Sequence, residues 1–287
     1  MKEWMKEELE QLFLEKFEKI DSFIKISYPI YIPSKARSNI KITTSMLDDC
    51  DISYYLVVEP QDHEKYLENY DESRIIAMKE NDQGIGYVRR FCKQHSINNG
   101  DKFHWQFDDN IVALGIRKDN KNLKYSARNC ISIVEDFNDL FTNIGGCGLS
   151  HYVYAWARPY VIGFNKQIFT ACLFRNTKEH WWKSNTIEDT DYSLQLLSDH
   201  LVTLYFNRIL MFKAPTGKYK GGNLEIEYGG NKDEKRFGGE KQYKKAQKMQ
   251  EYWPEAKFQI RVKEKTNEIR LKPSRIWSSF KQLPKNT

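Results

Sequence analysis

The chain contains no Cys-x-x-Cys pair, no internal repeat and no low-complexity segment. It also has no run of about 18 apolar residues, so no membrane-spanning helix is expected. Cys50, Cys92, Cys130, Cys147 and Cys172 are scattered and odd in number. That pattern argues against a disulfide framework or a structural zinc site, and for a reducing compartment, the cytoplasm. Met1-Lys2-Glu3-Trp4 leads into acidic residues rather than an apolar stretch, so no secretory signal is expected. The small basic loop Pro33-Ser34-Lys35-Ala36-Arg37-Ser38-Asn39 lacks the glycines of a Walker or dinucleotide fingerprint. Charge of one sign is only slightly in excess: 45 basic against 39 acidic residues gives +6, which permits a polyanionic partner without demanding one.

Aromatic side chains, by contrast, are plentiful, at 14% of 287 residues, which suits stacking on bases or nucleotides as well as an ordinary core. The stretch that organises the rest is Lys102-Phe103-His104-Trp105-Gln106-Phe107-Asp108-Asp109-Asn110-Ile111. An apolar strand here runs straight into acids. Open α/β sheets place ligands at such carboxyl ends. Carboxylate and amide oxygens at alternate positions suit a hard divalent cation, Mg²⁺ or Mn²⁺, whose remaining ligands are water and phosphate oxygens. Asp108 and Asn110 are therefore the candidate metal ligands. The competing reading is a plain Asp-Asp-Asn turn.

Patterning places an amphipathic helix over Lys2–Lys25, with Met5, Leu9, Leu12, Phe13, Phe17 and Ile20 at helical spacing. Strands follow at Ile26–Ile32, Ser53–Pro60, Arg74–Met78 and through the central stretch. Helices are expected at Thr43–Asp49, Asp62–Tyr70 and Ile85–His95. This alternation predicts a mostly parallel sheet flanked by helices, the α/β class. Glu59 falls at a strand's carboxyl end. Tyr125–Asn143 reads as a helix and Gly145-Gly146-Cys147-Gly148 as a flexible turn. Tyr160–Phe164 and Ile168–Phe174 read as a hairpin around Asn165-Lys166-Gln167.

Glu188-Asp189-Thr190-Asp191 opens a further helix reaching about Asp199. Acids there complement the helix dipole, or supply a carboxylate that takes a proton from an acceptor hydroxyl. Leu201–Phe206 and Ile209–Phe212 are expected strands. The glycine-rich basic loop Lys213–Asn223 is either a mobile surface loop or a cover for phosphates. Glu240–Glu251 reads as a charged helix, followed by a hairpin through Ile260 and Ile269. The expected organisation is an N-terminal helix over residues 1–26, a main domain over 27–239, and a basic extension over 240–287.

Four runs stand in the order expected of a GT-A-fold glycosyltransferase: Ile30–Arg37, Leu56–Pro60, Gly84–Arg89 and Trp105–Ile111. With Glu188–Leu194 and Lys220-Gly221-Gly222-Asn223, the chain resembles more narrowly the phage TET-associated DNA glycosyltransferases, over roughly residues 28 to 260. The resemblance implies a GT-A-like sheet. It implies a nucleotide-sugar donor, with UDP-glucose expected, and transfer to a 5-hydroxymethylpyrimidine, foremost 5-hydroxymethylcytosine, in double-stranded phage DNA. Pro33, Ser34, Lys35, Arg37 and Glu59 would frame the nucleotide, and Arg89 would reach the diphosphate or brace the acidic turn. Asp108 and Asn110 would flank Mn²⁺ or Mg²⁺, with Asp109 beside the sugar. Asp189, Asp191 or Glu188 would act as base, and Lys220, Gly221, Gly222 and Asn223 would close over the donor phosphates. Trp181 and Trp182 are candidates to stack on the acceptor base, or core residues. Three alternatives stand beside this reading: a transferase of the same fold acting on another acceptor, a DNA-binding protein with a decayed site, and a nucleotidyltransferase.

Overall fold

The computed structural model describes residues 3–18, 25–157, 160–185, 187–215, 219, 221, 247–254, 259–263, 268–272 and 276–286. Its first half alternates strand and helix as the patterning predicts. After α1 (Glu3–Glu18) come β1 (Ile30–Pro33), α2 (Ile42–Asp48), β2 (Tyr55–Val58), α3 (His63–Leu67), β3 (Ile75–Ala77), α4 (Ile85–Asn98) and β4 (Phe103–Phe107). β1 pairs in parallel with β2 and β4, and β2 with β3. These strands are short and almost wholly apolar because helices cover both faces, so no polar alternation is needed.

The second half comprises β5 (Ile111–Lys118), β6 (Lys121–Lys124), α5 (Ala127–Asn138), β7 (Ile144–His151), β8 (Ile162–Phe164), β9 (Ala171–Arg175), α6 (Glu188–Ser198) and β10 (Val202–Lys213). The described residues form one ten-stranded sheet in the order β3-β2-β1-β4-β9-β7-β10-β5-β6, with β8 beside β10. β9 runs antiparallel to both β4 and β7, and β7 is parallel to β10. The carboxyl ends of β1, β2, β3, β4, β7 and β10 therefore all emerge on one edge. The α/β class and the helix-flanked sheet match the expectation. A separate hairpin joins β11 (Gln259–Lys263) to β12 (Glu268–Lys272), as the sequence predicts.

Three local expectations are corrected. Gly145–Gly148 is not a turn but the buried first half of β7. Glycine is needed there for close packing: a Cβ on Gly148 would lie 2.8 Å from Ile168 Cβ, and one on Gly145 3.0 Å from Leu201 Cβ. The expected hairpin between residues 160 and 174 does not form. β8 pairs with β10, and β9 inserts between β4 and β7. The actual hairpin, β5–β6, turns through Asp119 and Asn120 at φ +48° and +59°, a primed turn that Asp and Asn tolerate. The two strands expected at Leu201–Phe206 and Ile209–Phe212 are one strand, β10, whose register shifts between Phe206 and Leu210.

The main core gathers Phe13 of α1, Trp105 and Phe107 of β4, Phe137 of α5 and Phe206 of β10. Glu135 of α5 ties this core to the start of β1, accepting hydrogen bonds from Trp105 Nε1 (2.8 Å) and the Ser27 amide (2.7 Å). Trp182 does not face solvent: it stacks on Tyr192 with ring centroids 3.9 Å apart and fills a second cluster with Phe174. Trp181 is half-buried beside Lys93. Trp182 is thus a core residue.

Lys93 of α4 is fully buried, donating to Tyr192 Oη (2.9 Å), the His180 carbonyl (2.6 Å) and Thr177 Oγ1 (3.2 Å). Burial without a contacting carboxylate lowers its pKa to about 7, against attraction from Glu179. The unfolded chain thus holds a proton on Lys93 that the native state releases between about 7 and the ordinary lysine range. Stability at this group rises with pH across that window. Lys93→Met is expected to flatten the rise in urea-unfolding free energy between pH 7 and 10, by a slope of at most about 1.4 kcal/mol per pH unit. An unchanged slope would count against the buried charge.

Candidate active site

The site is assembled where β4 ends. Asp108, Asp109 and Asn110 form a tight turn into β5, held from below by Thr43 of α2. Thr43 Oγ1 donates to the Asp108 carbonyl (2.7 Å) and accepts from the Ile111 amide (2.9 Å). The two aspartates of the turn face different neighbours.

Asp108 faces two cations. Lys213, the last residue of β10, donates to its Oδ2, and Arg89 lies 3.9 Å from its Oδ1. Burial opposes ionisation, but Lys213 and Arg89 outweigh it and hold the Asp108 carboxyl below the usual carboxylate range. Arg89 enters from α4, locked by a reciprocal pair with Gln106: its Nη1 donates to Gln106 Oε1 (3.2 Å), and Gln106 Nε2 donates to the Arg89 carbonyl (3.1 Å). Its guanidinium also lies 3.3 Å from Asp189 and 3.9 Å from Glu188, at the start of α6. Burial works against charge on Arg89, but Asp189, Glu188 and Asp108 keep it firmly protonated. Asp189 behaves oppositely to Asp108. Burial raises its pKa, opposed by Arg89, so this carboxylate has increased proton affinity.

Asp109 turns to β1. Its carboxylate accepts from Arg37 Nη1 (2.7 Å) and Ser34 Oγ (3.1 Å), and Tyr66 Oη donates to Ser34 Oγ (2.6 Å). Burial pushes its pKa up against the pull of Arg37. Arg37 Nη2 also donates to the Gly221 carbonyl (2.8 Å). Gly221 sits at φ +80°, where an added Cβ would meet Ala36 O at 2.6 Å, so only glycine fits against the β1 loop. Lys35 bridges Glu59 (2.8 Å) and Asp82, linking the ends of β1, β2 and β3. Pro33 closes β1 beside Val57. Lys220, Gly222 and Asn223 lie outside the described residues.

The expected residues thus fall into two groups. Asp108, Arg89, Glu188 and Asp189 converge, while Ser34, Arg37, Asp109 and Gly221 form an adjoining set, with Lys35 and Glu59 at its flank. Asp191 does not join them. It is fully buried, and its carboxylate accepts from Trp253 Nε1 (3.0 Å), Gln195 Nε2 (2.9 Å) and the Lys183 amide (3.1 Å). The site also includes side chains that the sequence reading did not single out. Lys213 was seen only as the start of a basic loop; its position as the last residue of a strand next to an acidic turn was the available signal. Asn185 Oδ1 accepts from the Gly86 amide (2.9 Å) at the start of α4, a long-range cap without a local signal.

Three buried polar atoms in this region lack a hydrogen-bond partner: Arg89 Nε, Asp189 Oδ1 and Asn110 Oδ1. Orphaned buried groups in a native fold call for an explanation, and a bound ligand is one for these three. A cavity of about 520 Å³ opens instead near the amino ends of β1 and β2, lined by Tyr28, Tyr54, Arg74 and Arg128, away from these atoms. Among the described residues, no three His, Cys, Asp or Glu side chains converge to hold a metal unaided. Asp108, whose oxygens face Lys213 and Arg89, and Asn110, whose Oδ1 has no hydrogen-bond partner, are the pair that the sequence offered for a divalent cation.

Arg89→Met is expected to lower the thermal midpoint markedly, because it leaves Asp108, Glu188 and Asp189 facing one another. Breaking such a buried ionic set costs about 3–5 kcal/mol. Differential scanning calorimetry at pH 7 reads this, and a loss no larger than that of an exposed arginine would contradict the arrangement.

Comparison with known proteins fits this geometry. No curated protein sequence matches the chain significantly. A solved structure of a nucleotide-diphospho-sugar transferase from Desulfovibrio desulfuricans G20 is 11% identical, with a TM-score of 0.38, over 62% of this chain and 79% of that one. That likeness is too distant to carry an argument. The decisive match covers residues 28–222, from the start of β1 to the glycine loop, and so spans every element that builds the site. The chain belongs to the TET-Associated Glycosyltransferase family and is a glycosyltransferase.

Proposed function

We propose that the protein transfers a sugar from a nucleotide-sugar donor, UDP-glucose as the working case, to the hydroxymethyl oxygen of a 5-hydroxymethylpyrimidine in DNA. The observation that carries this reading is the convergence of Asp108, Glu188 and Asp189 on one buried arginine, at the sheet edge where α/β folds bind nucleotides.

The reaction forms a bond between the acceptor oxygen and the sugar's anomeric carbon, and breaks the bond from that carbon to the diphosphate. The diphosphate leaves with the electron pair, and the acceptor proton must go to a base. Asp189 suits that role. Its raised pKa increases proton affinity, and its Oδ1 faces the Arg89 guanidinium at 3.3 Å. Glu188, beside it on Arg89, is the second carboxylate of the pair. Ser34, Lys35, Arg37 and Glu59 frame the nucleotide at the ends of β1 and β2. Asp109, pinned by Arg37 and Ser34, faces the sugar. Lys213 and Arg89 supply fixed positive charge next to the departing diphosphate, and such preorganised charge is effective in a dry site. Gly221, held against the β1 loop by Arg37, is the described residue placed to approach the donor phosphates. A divalent cation held by Asp108 and Asn110 would add Lewis-acid neutralisation of the leaving group.

The test is nucleoside mass spectrometry after incubating 5-hydroxymethylcytosine DNA with the protein, Mn²⁺ or Mg²⁺ and a set of nucleotide sugars. A nucleoside heavier by one sugar is expected. Asp189→Asn should reduce turnover by about 10²–10⁴-fold with donor affinity retained. Asp108→Ala should abolish product in a protein that is still folded by circular dichroism, at a lowered thermal midpoint because Lys213 and Arg89 lose a carboxylate partner. Hydrolysis of a nucleotide sugar without any labelled nucleoside would keep glycosyl transfer and reject the DNA acceptor.

A further inference from the structure

The family assignment leaves the acceptor's binding surface unspecified, and of the two tryptophans that the sequence offered for stacking, Trp182 is enclosed in the core and Trp181 is half-buried beside Lys93. Exposed aromatic residues occur elsewhere. β7 ends at His151 on the catalytic edge and leads into the 3₁₀ turn Tyr152–Ala157. On this turn Trp156 is 75% exposed and Tyr154 53% exposed, and Tyr160 follows, also exposed. Val153 is exposed on the same turn, and exposed apolar side chains clustered in this way mark an interaction surface where single ones would not.

The turn is held firmly. The Tyr152 ring stacks on Phe212 at 4.9 Å, and Asn122 Nδ2 of β6 donates to the Tyr152 carbonyl (3.0 Å). Phe212 adjoins Lys213, which contacts Asp108, so the aromatic turn begins beside the reacting groups. His151 records the same proximity: burial lowers its pKa, and Lys213 lowers it further.

The neighbouring surface is basic. Strand alternation places Arg117, Arg208 and Lys124 on the face of β5, β10 and β6 that carries Phe212, and Arg208 Nη1 donates to the Arg117 carbonyl (3.4 Å). Lys118 and Lys121 flank the hairpin tip, both exposed. Between residues 111 and 124 there are four basic residues and one acid, Asp119. Rings for stacking beside a cationic track that follows a backbone match the chemistry of a nucleic-acid strand better than that of a neutral glycan.

We infer that the turn Tyr152–Ala157 and the β5–β6 hairpin together form the surface on which the acceptor nucleic acid lies, with Trp156 stacking on a base and the hairpin cations along the phosphates. This rests on the proposed transfer to DNA and adds where the strand is held. A base stacked beside the catalytic edge has left the duplex stack, the arrangement required for chemistry on a base.

The test measures fluorescence anisotropy of a labelled single-stranded and a duplex oligonucleotide with the full-length protein, and in parallel the hydrolysis of a nucleotide sugar without acceptor. Trp156→Ala is expected to weaken single-strand binding roughly tenfold, with donor hydrolysis and thermal midpoint unchanged. Lys121→Ala should reduce the slope of log affinity against log salt by about 1. Lys65→Ala, an exposed lysine on α3, is the control and should leave the slope unaltered. Equal binding by wild type and Trp156→Ala would overturn the inference. So would a wild type that hydrolyses donor but binds no oligonucleotide, or an oligomer that Trp156→Ala disperses without changing oligonucleotide binding. Loss of donor hydrolysis in the wild type, with Trp156-dependent binding intact, would instead count against the catalytic reading alone.

Discussion

Arg89 is the constraint on which the site depends. A guanidinium removed from water is costly, and here the cost is met by carboxylates from both sides of the chain: Asp108 from the end of β4, and Glu188 and Asp189 from the start of α6. Eighty residues separate these acids. Without a cation between them, three like charges would push the strand end and the helix start apart. Gln106 fixes the arginine by bonding both its guanidinium and its carbonyl, so charge and backbone are set together. The field is uneven. Lys213 reinforces Arg89 at Asp108, whereas Asp189 relies on Arg89 and feels Asp108 as a repelling neighbour. One carboxylate is held ionised and the other is left with a stronger affinity for protons, the separation that acid–base chemistry between neighbouring carboxyls requires.

Much of this arrangement was legible in the sequence. The acidic turn after an aromatic strand, the small basic loop after β1 and the acid at the end of β2 are local patterns whose placement follows from strand direction. The amphipathic helices were equally readable, since burial on one face imposes their spacing. The register of long-range pairing was not. β9 pairs with β4 and β7, although the sequence favours a local hairpin with β8, because turn residues at 165–167 look alike whether or not the flanking strands pair. Gly145–Gly148 read as a turn for the same reason: composition reports a lack of side chains, and only packing against Ile168 and Leu201 explains it.

Burial of individual polar and aromatic residues was the least legible feature. Asp189 and Asp191 look equivalent in a helix's first turn, yet the helix rotation between them sends one toward Arg89 and the other toward Trp253. Trp181, Trp182 and Trp156 are likewise indistinguishable by type. Trp182 lies where α4, α6 and β9 meet and is enclosed, while Trp156 sits on a turn whose own backbone is anchored and whose ring is left outside. Lys213 escaped notice because its partner lies 105 residues away, in a contact that exists only once β10 is seated beside β5.

The sheet order gives these details a common logic. On one side of β4 the strands β1, β2 and β3 are all parallel, and their carboxyl ends carry the small loops and acids that suit a nucleotide. On the other side the pairings are mixed: β7 and β10 end at the same edge, while β5 starts there and runs back, so the β5–β6 hairpin carries its basic side chains across the sheet face that bears Phe212. β4 lies toward the boundary, and Asp108 at its end touches both halves, through Arg89 of α4 and Lys213 of β10. A transfer reaction needs two substrates to meet at one point without either occupying the other's pocket. A parallel half that offers loops and a mixed half that offers a rigid surface, joined at one acidic turn, meet that need by topology before any single side chain is considered.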